Sequence, residues 1–260
     1  LGEYRFGDDN RKVNIDESKH IIYPNLSAIK DMSKDAADVL YAAKDEKFAN
    51  RAALYSWFMQ SSLNKTTIEI LFKIGYFNAV GDPNRMLQEY PIYKENIGKT
   101  VLTKSKFDDS IIPELRAICG KETKKQLKEI DHKAFISLLI KKAAIKSSTA
   151  LQRAKWQIDM LGYTTVTDPK ADVNDYLVLD VKTTGYGTPW IKIYNLCYGA
   201  ERQYKCNKKW WAGHKCKVGD AIKVVLDDAP KWKKNDDGKF VKTGETEVQV
   251  KAFKVLEDKT

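Results

Sequence analysis

Between positions 26 and 40, apolar residues fall at helical spacing on both sides of a short polar break, with Leu26 and Ile29 before it and Ala36, Ala37 and Leu40 after it. The pattern predicts a helix, a tight hairpin and a second helix. Ser33 is placed to cap the second helix, because its hydroxyl can accept from a backbone N–H one turn on, and Asp35 adds an acidic residue in the first turn. A second copy of the idea follows: Asn64 caps a helix through Thr67, Ile68, Leu71 and Phe72, and Gly75 supplies the left-handed residue that ends it. A turn at Asp82-Pro83-Asn84 then leads to Arg85. Ahead of both units, the β-prone runs Tyr4-Arg5-Phe6 and Ile21-Ile22-Tyr23 flank the turn cluster Gly7-Asp8-Asp9-Asn10 and predict a short hairpin.

From 86 to 154 the pattern predicts helices over 113–119, 122–130, 133–145 and from 148 onward. The third is the clearest, with Phe135, Leu138 and Leu139 in one stripe and Asp131 as its cap. From Tyr176 the period changes to two. Leu177, Leu179 and Val181 alternate with Val178, Asp180 and Lys182, and beyond the turn Gly185-Tyr186-Gly187 Ile191 and Ile193 alternate with Trp190, Lys192 and Tyr194. Further strands fit 202–206, 221–226 and 248–255. Five short strands without a long helix suggest a barrel of the OB type. The expected fold class is α+β: a tandem helix-hairpin-helix domain over 1–90 with a short N-terminal β-hairpin, a helical connector over 91–170 and a small all-β barrel over 171–260.

Composition narrows the partners. The 260 residues are 43% hydrophobic, enough for two small cores, and the formal net charge of +10 with a pI near 9.2 suits a polyanion. No apolar run is long enough to span a bilayer and no signal peptide opens the chain, so a cytoplasmic protein without a membrane partner is expected. The chain opens on Leu1 and reads as a piece of something larger. Its four cysteines are most simply free thiols.

Helix-hairpin-helix units suit DNA because the hairpin and the helix start behind it aim backbone N–H groups at a phosphate, reading the backbone and not the bases. The candidate duplex contacts are Lys30, Ser33, Lys34, Lys73, Gly75 and Arg85. If Ile191 and Ile193 point into the barrel, Trp190, Lys192 and Tyr194 share its outer face and offer rings for bases and a cation for phosphates. Lys182, Tyr186, Tyr204, Lys205 and Lys208 extend that single-strand surface, as does Trp232 in a lysine-rich loop between the last two strands; a structural role in the barrel stands beside it, with Trp210 and Trp211 closing the bottom. No cluster of carboxylates able to hold two catalytic metal ions is visible, and no phosphate-binding glycine loop. Cys197, Cys206, His214 and Cys216 are zinc-ligand types without paired knuckles. No catalytic residue, metal site or cofactor is assigned.

The words Ser27-Ala28-Ile29-Lys30 with Ala36-Ala37, Asn64-Lys65, and Phe72-Lys73-Ile74-Gly75-Tyr76-Phe77-Asn78 with Gly81 and Arg85 resemble the tandem helix-hairpin-helix region of bacterial family C replicative DNA polymerases, the alpha subunit of DNA polymerase III. Leu161-Gly162 with Asp168-Pro169 and the lead Lys217-Val218-Gly219-Asp220 resemble the approach to that family's OB fold and its interior. Asp31 and Ser33 depart from the family, which has glycines in the first hairpin, and Asp168 stands where it has His. The resemblance implies a DNA-binding C-terminal part that holds primer-template duplex and single-stranded template, with magnesium confined to an active site upstream in the parent polymerase. Gln157-Ile158-Asp159-Met160-Leu161 also resembles the peptide with which such polymerases grip a sliding clamp, which would make Gln157, Met160 and Leu161 contacts provided they are accessible; a buried helix end is the alternative. A stand-alone, non-catalytic replication accessory remains open beside the polymerase reading.

Overall fold

A computed structural model describes residues 2, 4–185 and 187–256, which divide into two compact units, 1–148 and 149–260. In the first unit a two-stranded ribbon pairs β1 (Asn14–Asp16) with β2 (Ile21–Tyr23). The expected hairpin is therefore present, but its first strand lies later in the chain. Tyr4 is buried instead, and its hydroxyl donates to the Asn25 carbonyl at 2.9 Å. Phe6 joins a cluster of rings with Phe48, Trp57, Tyr76 and Phe77.

The first hairpin begins with a 3-10 turn, Leu26–Ala28, in which Asn25 Oδ1 accepts from the Ala28 N–H at 2.9 Å. Leu26 and Ile29 are buried, and Asp31 reverses the chain with φ of 61°. Helix α1 (Ala36–Ala42) follows, its buried face made by Ala36, Ala37 and Leu40. Ser33 meets this helix differently from the expectation: its backbone carbonyl, not its hydroxyl, accepts from the Ala36 N–H at 3.1 Å. Asp35 sits at the cap position without a side-chain capping bond, and Asp38 is the acid of the first turn.

Three longer helices complete the module. Asn50 caps α2 (Arg51–Gln60), an element the apolar pattern left unassigned. Asn64 Oδ1 accepts from the Thr67 N–H at 2.8 Å and starts α3 (Lys65–Lys73). Gly75, with φ of 82°, lets its own N–H reach the Phe72 carbonyl and the Tyr76 N–H reach that of Leu71, so the last carbonyls of α3 are satisfied by the reversing chain. Pro83 opens α4 (Pro83–Asn96), which continues through Pro91. Tyr55, Phe58, Phe72 and Tyr90 interlock as the aromatic core of α2, α3 and α4.

Beyond α4 the first unit departs from a helical connector. Strands β3 (Val101–Thr103), β4 (Cys119–Glu122) and β5 (Gln126–Ile130) form a sheet in the order β3-β5-β4, so the helix expected over 122–130 is a hairpin arm. α5 (Ile112–Arg116) and α6 (His132–Lys142) cover one side, where Leu102, Leu115, Leu127, Ile130 and Phe135 make a core. Asp131 caps α6 as anticipated, accepting from the Lys133 and Ala134 N–H groups.

The second unit opens with α7 (Ala150–Leu161), ended by left-handed Gly162. A closed barrel follows, made of β6 (Asp175–Thr183), β7 (Pro189–Asn195), β8 (Ala200–Cys206), β9 (Ala221–Lys234) and β10 (Phe240–Val255), with α8 (Lys208–Gly213) between its third and fourth strands. Around the barrel the strands run first, second, third, fifth, fourth, with the third and fifth parallel and every other neighbour antiparallel. That is OB-type order. Val178, Ile191, Ile193, Ile222, Val224, Val250 and Phe253 fill the interior, and Trp210 and Trp211 of α8 pack against them. The fold is thus an α-helical helix-hairpin-helix region followed by a five-stranded barrel.

Gly75 gives this arrangement a direct check. A Cβ there would lie 2.5 Å from Asn78 Nδ2 on top of the left-handed strain. Gly75→Ala should cost about 1 to 3 kcal/mol in urea unfolding followed by helical circular dichroism, and an unchanged midpoint would refute the strained helix end.

Candidate nucleic-acid interface

At the first hairpin, Lys30 and Lys34 are exposed on either side of Asp31, itself exposed, and Ser33 is half-buried. A carboxylate where the chain must turn left-handed opposes a phosphate at the apex, and the two lysines offset that opposition. Nearby, the Arg11 guanidinium lies 3.5 Å from the centre of the Tyr41 ring, and its hydrogen bonds hold the Asp9 carboxyl down to about 2.

The second hairpin is held by one carboxylate. Glu89 is 2% exposed and accepts from Arg51 Nε at 2.6 Å, from Arg85 at 3.2 Å and from the Tyr55 hydroxyl at 3.1 Å. Burial first, then the Glu89 charge, raises the Tyr55 pKa above its ordinary value, so that hydroxyl remains a donor. Arg85, expected as a free duplex contact, is committed to this network. Two guanidinium groups share one carboxylate, however, and leave a positive surplus where each still keeps about a third of its side chain exposed. Arg51 escaped the sequence reading. Its trace was Gly81, where a Cβ would stand 2.8 Å from Arg51 Cδ, so the glycine keeps open the passage of Arg51 towards Glu89.

Gly75 is buried, and its part is to end α3; Lys73 is half-buried in the last turn. The start of α4 already holds an anion, because Asp82 Oδ1 accepts from the Asn84, Arg85 and Ser148 N–H groups, and Oδ2 from the Ser148 hydroxyl at 2.6 Å. Burial pushes the Asp82 pKa up, yet the hydrogen bonds led by Ser148 hold it below the ordinary value.

Along β7 the alternation holds, with Ile191 and Ile193 fully buried inside; along β6 a bulge between Val178 and Asp180 breaks it, so Val178 faces the interior while Leu177 packs with Ala154 and Ile158 of α7. Trp190 is half-buried on the outer face, with Lys205 Nζ 5.4 Å from its ring centre. Lys205 in turn reaches Glu247 at 2.5 Å, Lys192 reaches Glu201 at 2.5 Å and Lys182 reaches Asp180 at 2.7 Å. Two ring assignments change. Tyr194 shares the outer parity but is 3% exposed, because it packs with Ala154 and Ile158 of α7, and its hydroxyl donates to the Val166 carbonyl at 2.8 Å. Tyr204 pairs across the sheet with Ile191 and so turns inward. Lys208 is exposed at the start of α8, and Tyr186 lies outside the described residues.

The expected loop around Trp232 is a ribbon in which β9 and β10 run on together. Trp232 stands opposite Lys242, and Lys234 opposite Phe240, so alternation puts all four on one face of the ribbon. Trp232 and Phe240 are about half exposed. Lys242 Nζ lies 5.6 Å from the Trp232 ring centre and Lys234 Nζ 5.7 Å from that of Phe240. Two rings and two ammonium groups on one strip are what base stacking and phosphate pairing require.

The clamp-like peptide is consumed internally. Gln157 is buried, and its Oε1 accepts from the Thr164 hydroxyl at 2.9 Å and the Thr165 N–H at 3.0 Å, so α7 ends as a packed helix. Met160 and Leu161 are half-buried. Cys206 and Cys216 belong to the barrel interior, where burial pushes their thiols up to about 12 and about 11; Cys197 is half-buried, and the His214 ring stacks on Trp210 at 3.8 Å. Among the described residues no helix is long and apolar enough to cross a membrane.

This geometry defines a class: a helix-hairpin-helix module followed by an OB-like barrel, an architecture consistent with nucleic-acid binding. Residues 8–87, which span both hairpins, match the helix-hairpin-helix motif family. No curated protein matches the chain significantly.

Two measurements check the anchoring. Glu89→Gln should leave two arginines uncompensated and cost about 3 kcal/mol in urea unfolding, the low end for a broken buried pair because both guanidinium groups reach water. The Asp82 contribution has the sign of a depressed acid: fully present above its ordinary value near 3.8 and lost as pH falls through its lowered folded value. Asp82→Asn should therefore flatten the acid limb of stability against pH below about pH 4, and a limb identical to the parent's would refute it.

Proposed function

We propose that the chain binds DNA on two chemically different surfaces, duplex at the helix-hairpin-helix module and single strand at the barrel ribbon, as the DNA-binding C-terminal part of a family C replicative polymerase. The observation that carries this reading is the joining, in one chain, of the motif over 8–87 to an OB-like barrel whose ribbon shows Trp232, Lys234, Phe240 and Lys242 on one face. At the hairpins, Lys30, Lys34 and Lys73 with the surplus charge of Arg51 and Arg85 attract phosphate without regard to base. On the ribbon, the rings take bases and the lysines take the strand between them, while Trp190, Lys182 and Lys208 offer weaker contacts on the barrel wall.

The polymerase assignment is supported by the way the resembling residues are used: Gly75 ends α3, Gly81 clears Arg51, and Lys217 to Asp220 turn the chain into β9 through left-handed Gly219. In that role the chain positions template for a catalytic centre elsewhere in the parent protein.

Titration of labelled single strand and of duplex with the purified chain tests both surfaces. Trp232→Ala and Phe240→Ala should each weaken single-strand binding by roughly five- to a hundredfold, from about 1 to 3 kcal/mol per stacked base, and leave duplex binding nearly unchanged. Duplex affinity should fall steeply with salt and ignore sequence. Single-strand affinity equal to the parent's in both variants would sink the ribbon assignment, and salt-independent duplex affinity would sink the hairpin assignment.

A further inference from the structure

Residues 99–146 hold twelve Lys and Arg against six Asp and Glu, a surplus of six out of the chain's ten. Eight of those cations make no ion pair among the described residues, and four of the eight lie on the hairpin of β4 and β5. Lys121 stands directly opposite Lys128 across the two strands, and Val101 flanks Lys128 on the other side. The connecting turn, closed by the Thr123 N–H on the Gln126 carbonyl at 2.8 Å, carries Lys124 and Lys125. Lys121, Lys124 and Lys125 are exposed, Lys128 is half-buried, and none of the four makes an ion pair among the described residues.

Like charges directly opposite in a sheet are destabilising, so this arrangement costs the fold stability. Cations just outside the sheet are paired: Glu122, next to Lys121, takes both Lys104 and Arg116. Glu129, the remaining acid of the hairpin, lies against Gly120 at the irregularity where its own φ is 54°, and it makes no ion pair among the described residues. Leu127 faces the core while Lys128, Val101 and Thr103 face away from it, and none of the described residues of β3, β4 and β5 carries a ring. A surface of ammonium groups without rings fits a phosphodiester backbone and has nothing with which to read or stack a base.

We propose that the outer face of the β4–β5 hairpin is a further contact for duplex DNA, made by Lys121, Lys124, Lys125 and Lys128 to backbone phosphates. The assignment rests on the reading of the chain as DNA-binding but concerns residues outside both the hairpin module and the barrel. A membrane or an acidic protein would also attract lysines. The favoured partner is duplex because its closely spaced phosphates carry dense negative charge, and a surface with cations and no ring has no means of holding an unpaired base.

The test uses the full chain with all four lysines changed to Gln, and a charge-matched control carrying Lys47, Lys65, Lys94 and Lys254 changed to Gln. Duplex affinity of the first should fall by roughly tenfold or more near 0.1 M salt, with a log–log salt slope shallower by about 2 to 4, while the control changes less. Lys128→Glu guards against a lost fold: it places a carboxylate opposite Lys121, so it should melt no lower than the parent while still losing duplex affinity. An unchanged slope in the quadruple variant, an equal loss in the control, competition by poly-glutamate as effective as that by duplex, or a lower melting temperature for Lys128→Glu would each overturn the assignment. A parent chain that binds no duplex at all would overturn the broader DNA-binding reading together with it.

Discussion

The Glu89 carboxylate is the point on which the first unit turns. Burying one charge is expensive, and here it is satisfied by two guanidinium groups and a phenol arriving from α2 and α4. Because Arg51 begins α2 and Arg85 and Glu89 lie on α4, the network fixes the angle at which the second hairpin leaves the core. The aromatic cluster beneath supplies burial but little direction, whereas hydrogen bonds to a charge are directional. The same arrangement leaves the hairpin electropositive, so one set of interactions positions the element and gives it the sign that a phosphate needs.

What could be read from the sequence was mostly the ends of elements. Asn64 and Asp131 each accept the N–H bonds that their positions suggested, and Gly75 takes the left-handed conformation that only a glycine adopts without strain. The alternation around Ile191 was equally legible, since a buried face imposes period two on its own strand. The failures have a common cause, which is that local pattern does not say what lies against a face. Tyr194 has the right parity for a platform, but α7 covers it. Gln157 has the right neighbours for a docking peptide, but its amide oxygen is taken by Thr164 and Thr165. The run Gln126-Leu-Lys-Glu-Ile suits a helix as well as a strand, and only the partners β3 and β4 decide for a strand.

Cations in this chain fall into two populations. Many lysines of the barrel sit against carboxylates, as Lys182, Lys192, Lys205 and Lys223 do, and their charge is largely neutralised where they stand. Exposed pairs of this kind contribute little stability, and their effect is to lower the net charge of the barrel wall locally. On the ribbon Lys231 likewise meets Glu245, while Lys234 and Lys242 lie over the Phe240 and Trp232 rings.

The ribbon itself resists a purely structural explanation. Lysines along a protruding pair of strands are a familiar guard against edge-to-edge association, and on that ground alone the charges of β9 and β10 would need no ligand. A two-stranded ribbon is marginal in water, however, and this one persists because it is continuous with a closed barrel whose core is already complete at Val224, Val250 and Phe253. Nothing in that core requires Trp232 or Phe240, and both leave about half of their surface in water. Edge protection would place polar residues there. Two rings on one face, each under an ammonium group, are the surface on which the proposed single-strand contact rests.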